Sequence, residues 1–283
     1  AATAALPEDF GGERNWDYRF TWLRDAALTI EVLVQHGHRH GALLWRDWLL
    51  RAVAGDPDQL KIMYGVDGRR DLAERELDHL SGYENSRPVR IGNGAVEQYQ
   101  ADVAGEVMMA LATLRDAGQE ENDYSWGLQC NLMSFCELHM DVKDNGIWEM
   151  RGDREFHTHS RVMMWAALQA GVEAVRTHGL DGDLQLWETH RDQLALEIWT
   201  SGYDPAVGTF VQRYGAQSVD ASLLQLPSLG FVDWEDERMV RTAQRIVEEL
   251  GTESGLLRRY QNVSVPPGSD PADFESQIGQ DGF

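Results

Sequence analysis

A single glutamate stands two residues before an arginine and directly after a tryptophan in the stretch GIWEMRG, residues 146–152. Contact with a large aromatic ring removes water from a carboxyl group, and this desolvation favours the protonated acid. Glu149 beside Trp148 is therefore a candidate general acid, the group that donates a proton to a leaving oxygen. A solvated loop glutamate beside a half-buried tryptophan would show the same pattern. The chemical interpretation requires a second carboxylate elsewhere in the chain.

Two further stretches mix aromatic, charged and amide side chains: NWDYRFTWLRDAA at 15–27 and SRPVRIGNGAVEQYQADVAGE at 86–106. In the first stretch, alternating aromatic residues lead into Arg24 and Asp25. Aromatic faces pack on the apolar faces of a pyranose ring, and Arg and Asp make directional hydrogen bonds to its hydroxyls. The same residues could form a packed helix entrance with a surface ion pair, or a capped loop. Residue types alone leave both interpretations open.

Neither metal chemistry nor serine chemistry is supported by the residue spacings. His157 and His159 are two residues apart, whereas two zinc ligands on one helix are spaced by four. The sequence has no G-x-S-x-G motif and no glycine-rich phosphate loop. Cys130 and Cys136 are six residues apart in a predicted helix, so their side chains point in different directions. We therefore predict no metal site and two free thiols.

The composition predicts one large globular domain, since the chain has 283 residues and 42% of them are hydrophobic. The net charge of −22 argues against a nucleic-acid partner, whose phosphates would be repelled. It suits a neutral substrate, although solubility alone also explains it. No apolar run reaches the roughly 18 residues of a membrane helix, and the N-terminus does not resemble a signal peptide. The compartment and oligomeric state stay open, with a slight preference for the cytoplasm.

Apolar residues recurring at three- and four-residue steps predict four long helices. The four sets are Trp22, Leu23, Ala26, Ala27, Ile30, Leu33 and Val34; Val103, Val107, Ala110, Leu111 and Leu114; Val162, Trp165, Leu168, Val172 and Val175; and Met239, Val240, Ala243, Ile246, Val247 and Leu250. Shorter helices are predicted near 41–54, 124–141, 184–200 and 219–226. Helix ends are expected at Gly118, Gly179, Gly202 and Gly251, with Asp181 or Asp183 as a cap. Paired helices with long loops between them predict an all-α toroid or bundle.

At these motifs the chain resembles glycoside hydrolase family 15, the glucoamylase-like family that includes bacterial trehalases. The similar segments are LPEDFGGERNWDYRFTWLRDAA, WRDWLLRAVAGDPDQLKIMYGVDGRR, SRPVRIGNGAVEQYQADVAGEV, GIWEMRG, THSRVMMWAAL, FVQRYGAQSVDASLL and GLLRRY. They cover nearly the whole chain and look closest to the bacterial branch. The resemblance implies that residues 1–283 are a single catalytic domain with an (α/α)6 barrel, incomplete at both ends. An N-terminal β-sandwich, the first helix and the last helices are expected to lie outside these residues.

The resemblance also implies an inverting exo-hydrolase that releases glucose from α-linked glucosides, with glucoamylase and trehalase specificities both open. Glu149 matches the general acid of the family, and Arg24 and Asp25 match the pair that binds the terminal glucose. Other residues fall in motifs that line the pocket: Trp16, Tyr64, Trp148, Arg151 and Asp220. Since water is the co-substrate, no cofactor is implied, and the partner is a small carbohydrate.

The catalytic base is the position at which this sequence departs from the family. The base is a glutamate in a G-E-G-x-F-like stretch, whereas this chain reads IGQDGF. Aligned without gaps, the base position is Gln280, which cannot accept a proton; a shift of one residue gives Asp281, which is one methylene shorter than glutamate. This departure keeps open a non-catalytic carbohydrate-binding or regulatory module on the same fold. Met150 stands where the fungal relatives have a second glutamate. This difference favours the specificity of a bacterial glucoamylase or trehalase over the fungal pattern.

Overall fold

The computed structural model describes residues 6–7, 9–53, 60–150 and 152–261, and these residues are mostly helical. The α-helices in the described residues are α1 (Leu23–Gln35), α2 (Arg39–Val53), α3 (Asp102–Asp116), α4 (Asp123–Leu138), α5 (Thr158–His178), α6 (Leu184–Glu197) and α7 (Glu237–Leu250). The predicted long helices and the shorter ones near 41–54, 124–141 and 184–200 are confirmed. The segment predicted near 219–226 is a 3-10 helix at Ala221–Gln225. Over the described residues, no helix combines the length and apolar character needed to span a membrane.

Short antiparallel strand pairs, each two residues long, lie between the helices. They are β1 (Thr21–Trp22) with β2 (Met63–Tyr64), β3 (Arg75–Glu76) with β4 (Arg90–Ile91), and β5 (Tyr203–Asp204) with β6 (Thr209–Phe210). In the first pair Thr21 faces Tyr64 and Trp22 faces Met63. This pairing fixes the chain immediately before α1, whose first turn carries Arg24 and Asp25.

The chain divides into two compact units. The first unit is Ala1–Gln98 with Thr113–Leu128, and the second is Tyr99–Ala112 with Gln129–Phe283. In the first unit α1 packs against α2. The buried residues of α1 are Leu23, Ala27, Ile30 and Val34, whose three- and four-residue steps place them on one face.

Helix α5 is largely buried in the second unit, where it packs along α6. Its apolar body is continuous with a first turn whose residues, Thr158 to Arg161, are polar and also buried. Buried polar groups are stable only when they are hydrogen-bonded, so this turn must have partners in the surrounding chain. Those partners include the loop that carries Glu149.

The ends of two helices follow the expected capping chemistry. Helix α5 ends at Gly179, whose φ of +68° is the left-handed conformation that glycine adopts without strain. Of the two candidate caps for α6, Asp183 is the one that accepts a hydrogen bond from the Leu186 amide, at 3.1 Å. Helix α7 ends at Gly251 in extended backbone instead. Cys130 and Cys136 are both free thiols, as predicted.

Gly105 in α3 is required by a close approach to α5 within the second unit. A β-carbon at this position would lie 2.2 Å from the backbone oxygen of Met163. We therefore expect Gly105→Ala to lower the free energy of unfolding by roughly 1–3 kcal/mol, because the two helices must move apart. Urea denaturation of the purified variant measures this loss.

Gly127 in α4 is the matched control, since it is also inside a helix but a β-carbon there would meet nothing within 4 Å. Because alanine is favoured over glycine in helices by about 0.5–1 kcal/mol, Gly127→Ala should be neutral or stabilising. Equal destabilisation by the two changes would contradict the close approach at Gly105.

Candidate active site

Glu149 lies in a tight loop of the second unit, residues 145–150, which we name the acid loop. Asn145 closes this loop in two ways: its backbone oxygen accepts from the Met150 amide at 3.0 Å, and its Nδ2 donates to the Met150 oxygen at 2.9 Å. The Glu149 amide donates to the oxygen of Gly146 at 3.2 Å. The loop is therefore closed by hydrogen bonds among its own residues.

Glu149 itself has a left-handed backbone, with φ of +58°. This conformation costs a residue other than glycine roughly 1–3 kcal/mol, and it persists only where the surrounding structure enforces it. Glu149 is half-buried. Strain of this kind concentrates at functional sites, so the backbone independently marks the residue that the sequence marks by motif.

Trp148 is held by Asp220, a residue 72 positions further along the chain. The indole Nε1 donates to the Asp220 carboxylate, at 3.0 Å from Oδ1 and 2.9 Å from Oδ2. The Arg259 guanidinium lies 5.2 Å from the centre of the Trp148 ring, a cation–π distance. The structure thus brings together two of the residues that the family resemblance placed at the pocket.

Both oxygens of Asp220 are occupied by protein donors. Oδ1 accepts from the Ser222 amide at 2.8 Å and the Ser222 hydroxyl at 2.6 Å, and Oδ2 accepts from Gln212 Nε2 at 3.0 Å. Asp220 is buried and caps the 3-10 helix that follows it. Its geometry suits the fixing of Trp148 better than direct contact with a ligand.

A second buried carboxylate, Asp144, precedes the acid loop and has partners on three sides. Its Oδ2 accepts from the amide of Ala101 at 3.0 Å, the amide of Gly146 at 3.1 Å and the hydroxyl of Ser160 at 2.7 Å. Its Oδ1 lies 3.0 Å from Nδ1 of His157. Four contacts from three parts of the second unit therefore converge on this one side chain.

The two neighbouring histidines, His157 and His159, contact different partners. His157 contacts Asp144, whereas Nε2 of His159 lies 3.3 Å from Oε1 of Gln225. Among the residues that the structure describes, no group of three His, Cys, Asp or Glu side chains is placed to hold a metal ion.

The last residue of the polar turn of α5, Arg161, forms a bidentate ion pair with Glu197 at the end of α6. Its Nε and Nη2 lie 2.8 and 2.9 Å from the two carboxylate oxygens, and the Tyr214 hydroxyl donates to the same carboxylate at 2.9 Å. Burial alone would lower the pKa of Arg161, but the hydrogen bonds to Glu197 raise it, so Arg161 stays charged. Burial, and then the Glu197 charge, raise the pKa of Tyr214, so its hydroxyl stays protonated as a donor.

In the first unit, Arg24 and Asp25 are neighbours with different exposure. Arg24 Nε lies 4.0 Å from Asp25 Oδ2, and the side chains are 12% and 71% exposed. The Asp25 carboxylate is therefore open to a ligand, while the Arg24 stem is packed. Trp16 lies under the guanidinium of Arg90, 4.7 Å from its ring centre.

Tyr64 occupies a different environment from the one that its motif suggested. The residue has no exposed surface, meets Trp48 edge to face with ring centres 6.2 Å apart, and accepts from the Lys61 amide at 3.1 Å. In this position Tyr64 supports the core of the first unit and presents no face to a ligand.

Three of the residues named from the sequence, Arg151, Gln280 and Asp281, lie outside the described residues. Conversely, the sequence reasoning missed two residues that hold the acid loop and its tryptophan, Asp144 and Gln212. A signal for Asp144 was available, because an acidic residue directly before an Asn-Gly turn can accept hydrogen bonds from that turn. Gln212 had none, because its contact depends on the tertiary fold.

Comparison with known proteins gives one family. The model of "Glycosyl hydrolases family 15" matches residues 1–276. A trehalase from Thermoplasma acidophilum is 40% identical over 261 residues, which are 92% of this chain and 45% of the relative. The chain thus spans less than half the length of that curated relative.

Two solved structures share the fold at low sequence identity. A glycosidase variant in complex with glucose superposes with a TM-score of 0.69 at 16% identity, over 92% of this chain and 68% of the other. A glucoamylase from Saccharomycopsis fibuligera gives a TM-score of 0.61 at 14% identity, over 95% and 65% respectively. The mostly helical fold described above therefore corresponds to part of these larger chains.

Proposed function

This chain belongs to glycosyl hydrolases family 15, and from that premise we propose that it is part of the catalytic barrel of an inverting glycosidase. The reaction is the release of glucose from an α-linked glucoside, with water as the second substrate. The observation that carries this proposal is Glu149, a glutamate in the family's acid motif whose strained backbone is enforced by the acid loop. Residues 1–283 are proposed to be one catalytic domain, contributing to an (α/α)6 barrel.

In the proposed mechanism Glu149 donates its proton to the glycosidic oxygen as the bond from that oxygen to the anomeric carbon breaks. A water molecule attacks the anomeric carbon from the opposite face and gives its proton to a catalytic base. Inversion requires about 6.5–9.5 Å between the two carboxyl groups, so that the water fits between them. The products are glucose of inverted configuration and the free leaving group.

Neither buried carboxylate around the acid loop is suited to be that base. The oxygens of Asp144 and Asp220 already accept from protein donors, so taking a proton from water would require breaking these hydrogen bonds. We therefore propose that the catalytic base is Asp281, in the IGQDGF stretch. Gln280, the residue before Asp281, is not proposed as the base, because an amide cannot take the proton from water.

Sugar recognition is proposed for Arg24 and Asp25, which match the pair that binds the terminal glucose. The exposed Asp25 carboxylate supports hydrogen bonding to hydroxyl groups. Trp148 is proposed to contact the sugar with its ring, with Asp220 fixing the ring orientation. Trp16 and Arg151 remain predictions from their motifs.

Trehalose is the substrate we propose, because the Thermoplasma acidophilum relative is named a trehalase. The test uses the protein with any natural sequence that flanks residues 1–283, incubated with trehalose and with maltotriose in separate reactions. Glucose from trehalose is expected. Glucose from maltotriose alone would reject trehalose in favour of a glucoamylase specificity, and binding without glucose from either sugar would favour a non-catalytic module.

A further inference from the structure

The acid loop is anchored at its first residues by a buried side chain that cannot reach a substrate. Asp144 is 2% exposed, and its backbone exchanges two hydrogen bonds of 2.9 Å with Glu155 on the far side of the loop. Its carboxylate meanwhile accepts from Gly146 inside the loop and from Ser160 in α5. One residue therefore joins the start of the loop to Glu155 and to the buried helix α5 of the second unit.

The same contacts fix the turn that precedes Glu149. Gly146 has a φ of +69°, and a β-carbon there would lie 3.0 Å from three atoms of the His157 ring. The Gly146 backbone is thus held between the Asp144 carboxylate, which accepts its amide, and the imidazole that Asp144 also contacts. Since the Glu149 amide donates to the oxygen of Gly146, the position of this turn is transmitted directly to Glu149.

A carboxylate is needed at position 144 because of the number of donors that face it. Oδ2 takes three donors and Oδ1 faces Nδ1 of His157. The oxygen of an asparagine could still accept from Ala101, Gly146 and Ser160, the three donors that face Oδ2. Its NH₂ group would then face His157, which contacts Oδ1 in the wild type. The substitution preserves shape and removes the acceptor that joins the imidazole to the loop.

We propose that Asp144 is the positioning residue of the acid loop, holding Glu149 in its left-handed conformation through Gly146 and His157. This inference rests on the proposed role of Glu149 and adds to it the residue that places the acid. Asp144 touches neither the substrate nor the reacting atoms, and it acts only through the loop.

The test is Asp144→Asn in the protein with its natural flanking sequence, assayed by kinetics and by hydrogen exchange. We expect kcat to fall about 10–100-fold with KM within about twofold, because the acid is displaced while Arg24 and Asp25 lie outside the loop and Trp148 stays held by Asp220. The amides of Gly146 and Met150 should exchange at least about tenfold faster, while those in the middle of α7 should be unchanged. Ser160→Ala, which removes a single donor to Asp144, should show a smaller change in the same direction. This variant replaces Asp144→Asn in the test if Asp144→Asn does not fold.

Thr242→Val is the matched control, because Thr242 is fully buried and its hydroxyl accepts from the Phe210 amide at 2.9 Å, away from the acid loop. It should lower stability without changing kcat. If Asp144→Asn behaves like this control, or if the loop amides keep their protection, the inference is overturned. If the wild type cleaves neither sugar, the proposed function fails, and loop exchange alone then decides whether Asp144 holds the loop.

Discussion

Glu149→Gln is expected to lower kcat for glucose release by about 10²–10⁴-fold while sugar affinity changes by less than about threefold. Glutamine has nearly the same shape as glutamic acid and can occupy the same left-handed backbone, but its amide is too weak an acid to protonate the glycosidic oxygen. The measurement combines steady-state kinetics on trehalose with calorimetric titration of the inactive variant.

Glu155→Gln is the control for this experiment, since Glu155 lies across the bridge from Asp144 and also carries a carboxylate. That carboxylate pairs at the surface with Lys143 at 2.8 Å and Arg213 at 3.3 Å, interactions that contribute little to stability. Its loss should leave kcat nearly unchanged. A Glu149→Gln enzyme that retains wild-type turnover would reject Glu149 as the acid.

Arg161→Met is expected to lower the free energy of unfolding by about 3 kcal/mol, the low end of the range for breaking a buried ion pair. The Arg161 and Glu197 side chains are 2% and 30% exposed, so the carboxylate that is left behind is only partly reached by water. Tyr214 would keep its hydrogen bond to Glu197 but cannot neutralise the charge. Urea denaturation followed by tryptophan fluorescence measures the loss.

Two further variants distinguish a buried charge effect from a loss of packing. Arg241→Met removes an exposed pair with Glu237, whose side chains are 60% and 87% exposed, and should have almost no effect. Glu197→Gln added to Arg161→Met should recover part of the stability, because it removes the uncompensated charge. Equal losses in the single and double variants would show that packing, rather than charge, dominates at this site.

The helices could be predicted because their causes are local. The three- and four-residue steps of Leu23, Ala27 and Ile30 are visible in the sequence, and Gly179 marks a helix end through a conformation that it alone adopts easily. The segment at Ala221–Gln225 was predicted only as a helix, because a short apolar run does not reveal that Asp220 would cap a 3-10 turn.

The sequence predicts which residues belong to the candidate site better than it predicts the contacts that hold them. The motif identified Glu149, but its left-handed backbone depends on hydrogen bonds with Gly146 and on the loop around it. The partner of Trp148 is 72 residues away, a separation that no local pattern encodes. Tyr64 falls in a motif of the pocket, and the structure buries it where its strand pairs with Thr21 and Trp22, a long-range pairing that the motif does not reveal.

The buried polar turn of α5 connects fold to function in the second unit. Ser160 supports Asp144 and Arg161 binds Glu197, so consecutive residues fix the acid loop and the end of α6. Burying polar groups at the start of a helix costs free energy unless they are hydrogen-bonded. Here Ser160 connects this turn to Asp144, the residue directly before the acid loop.

Proton NMR of the first minutes of trehalose hydrolysis tests the central claim most directly. An inverting enzyme converts the attacked unit to β-glucose and releases the other unit as α-glucose, so the account predicts equal initial amounts of the two anomers. Glu149→Gln should abolish both signals. Release of α-glucose alone from the wild type would show retention of configuration and would contradict an acid and a base that act on opposite faces of the sugar.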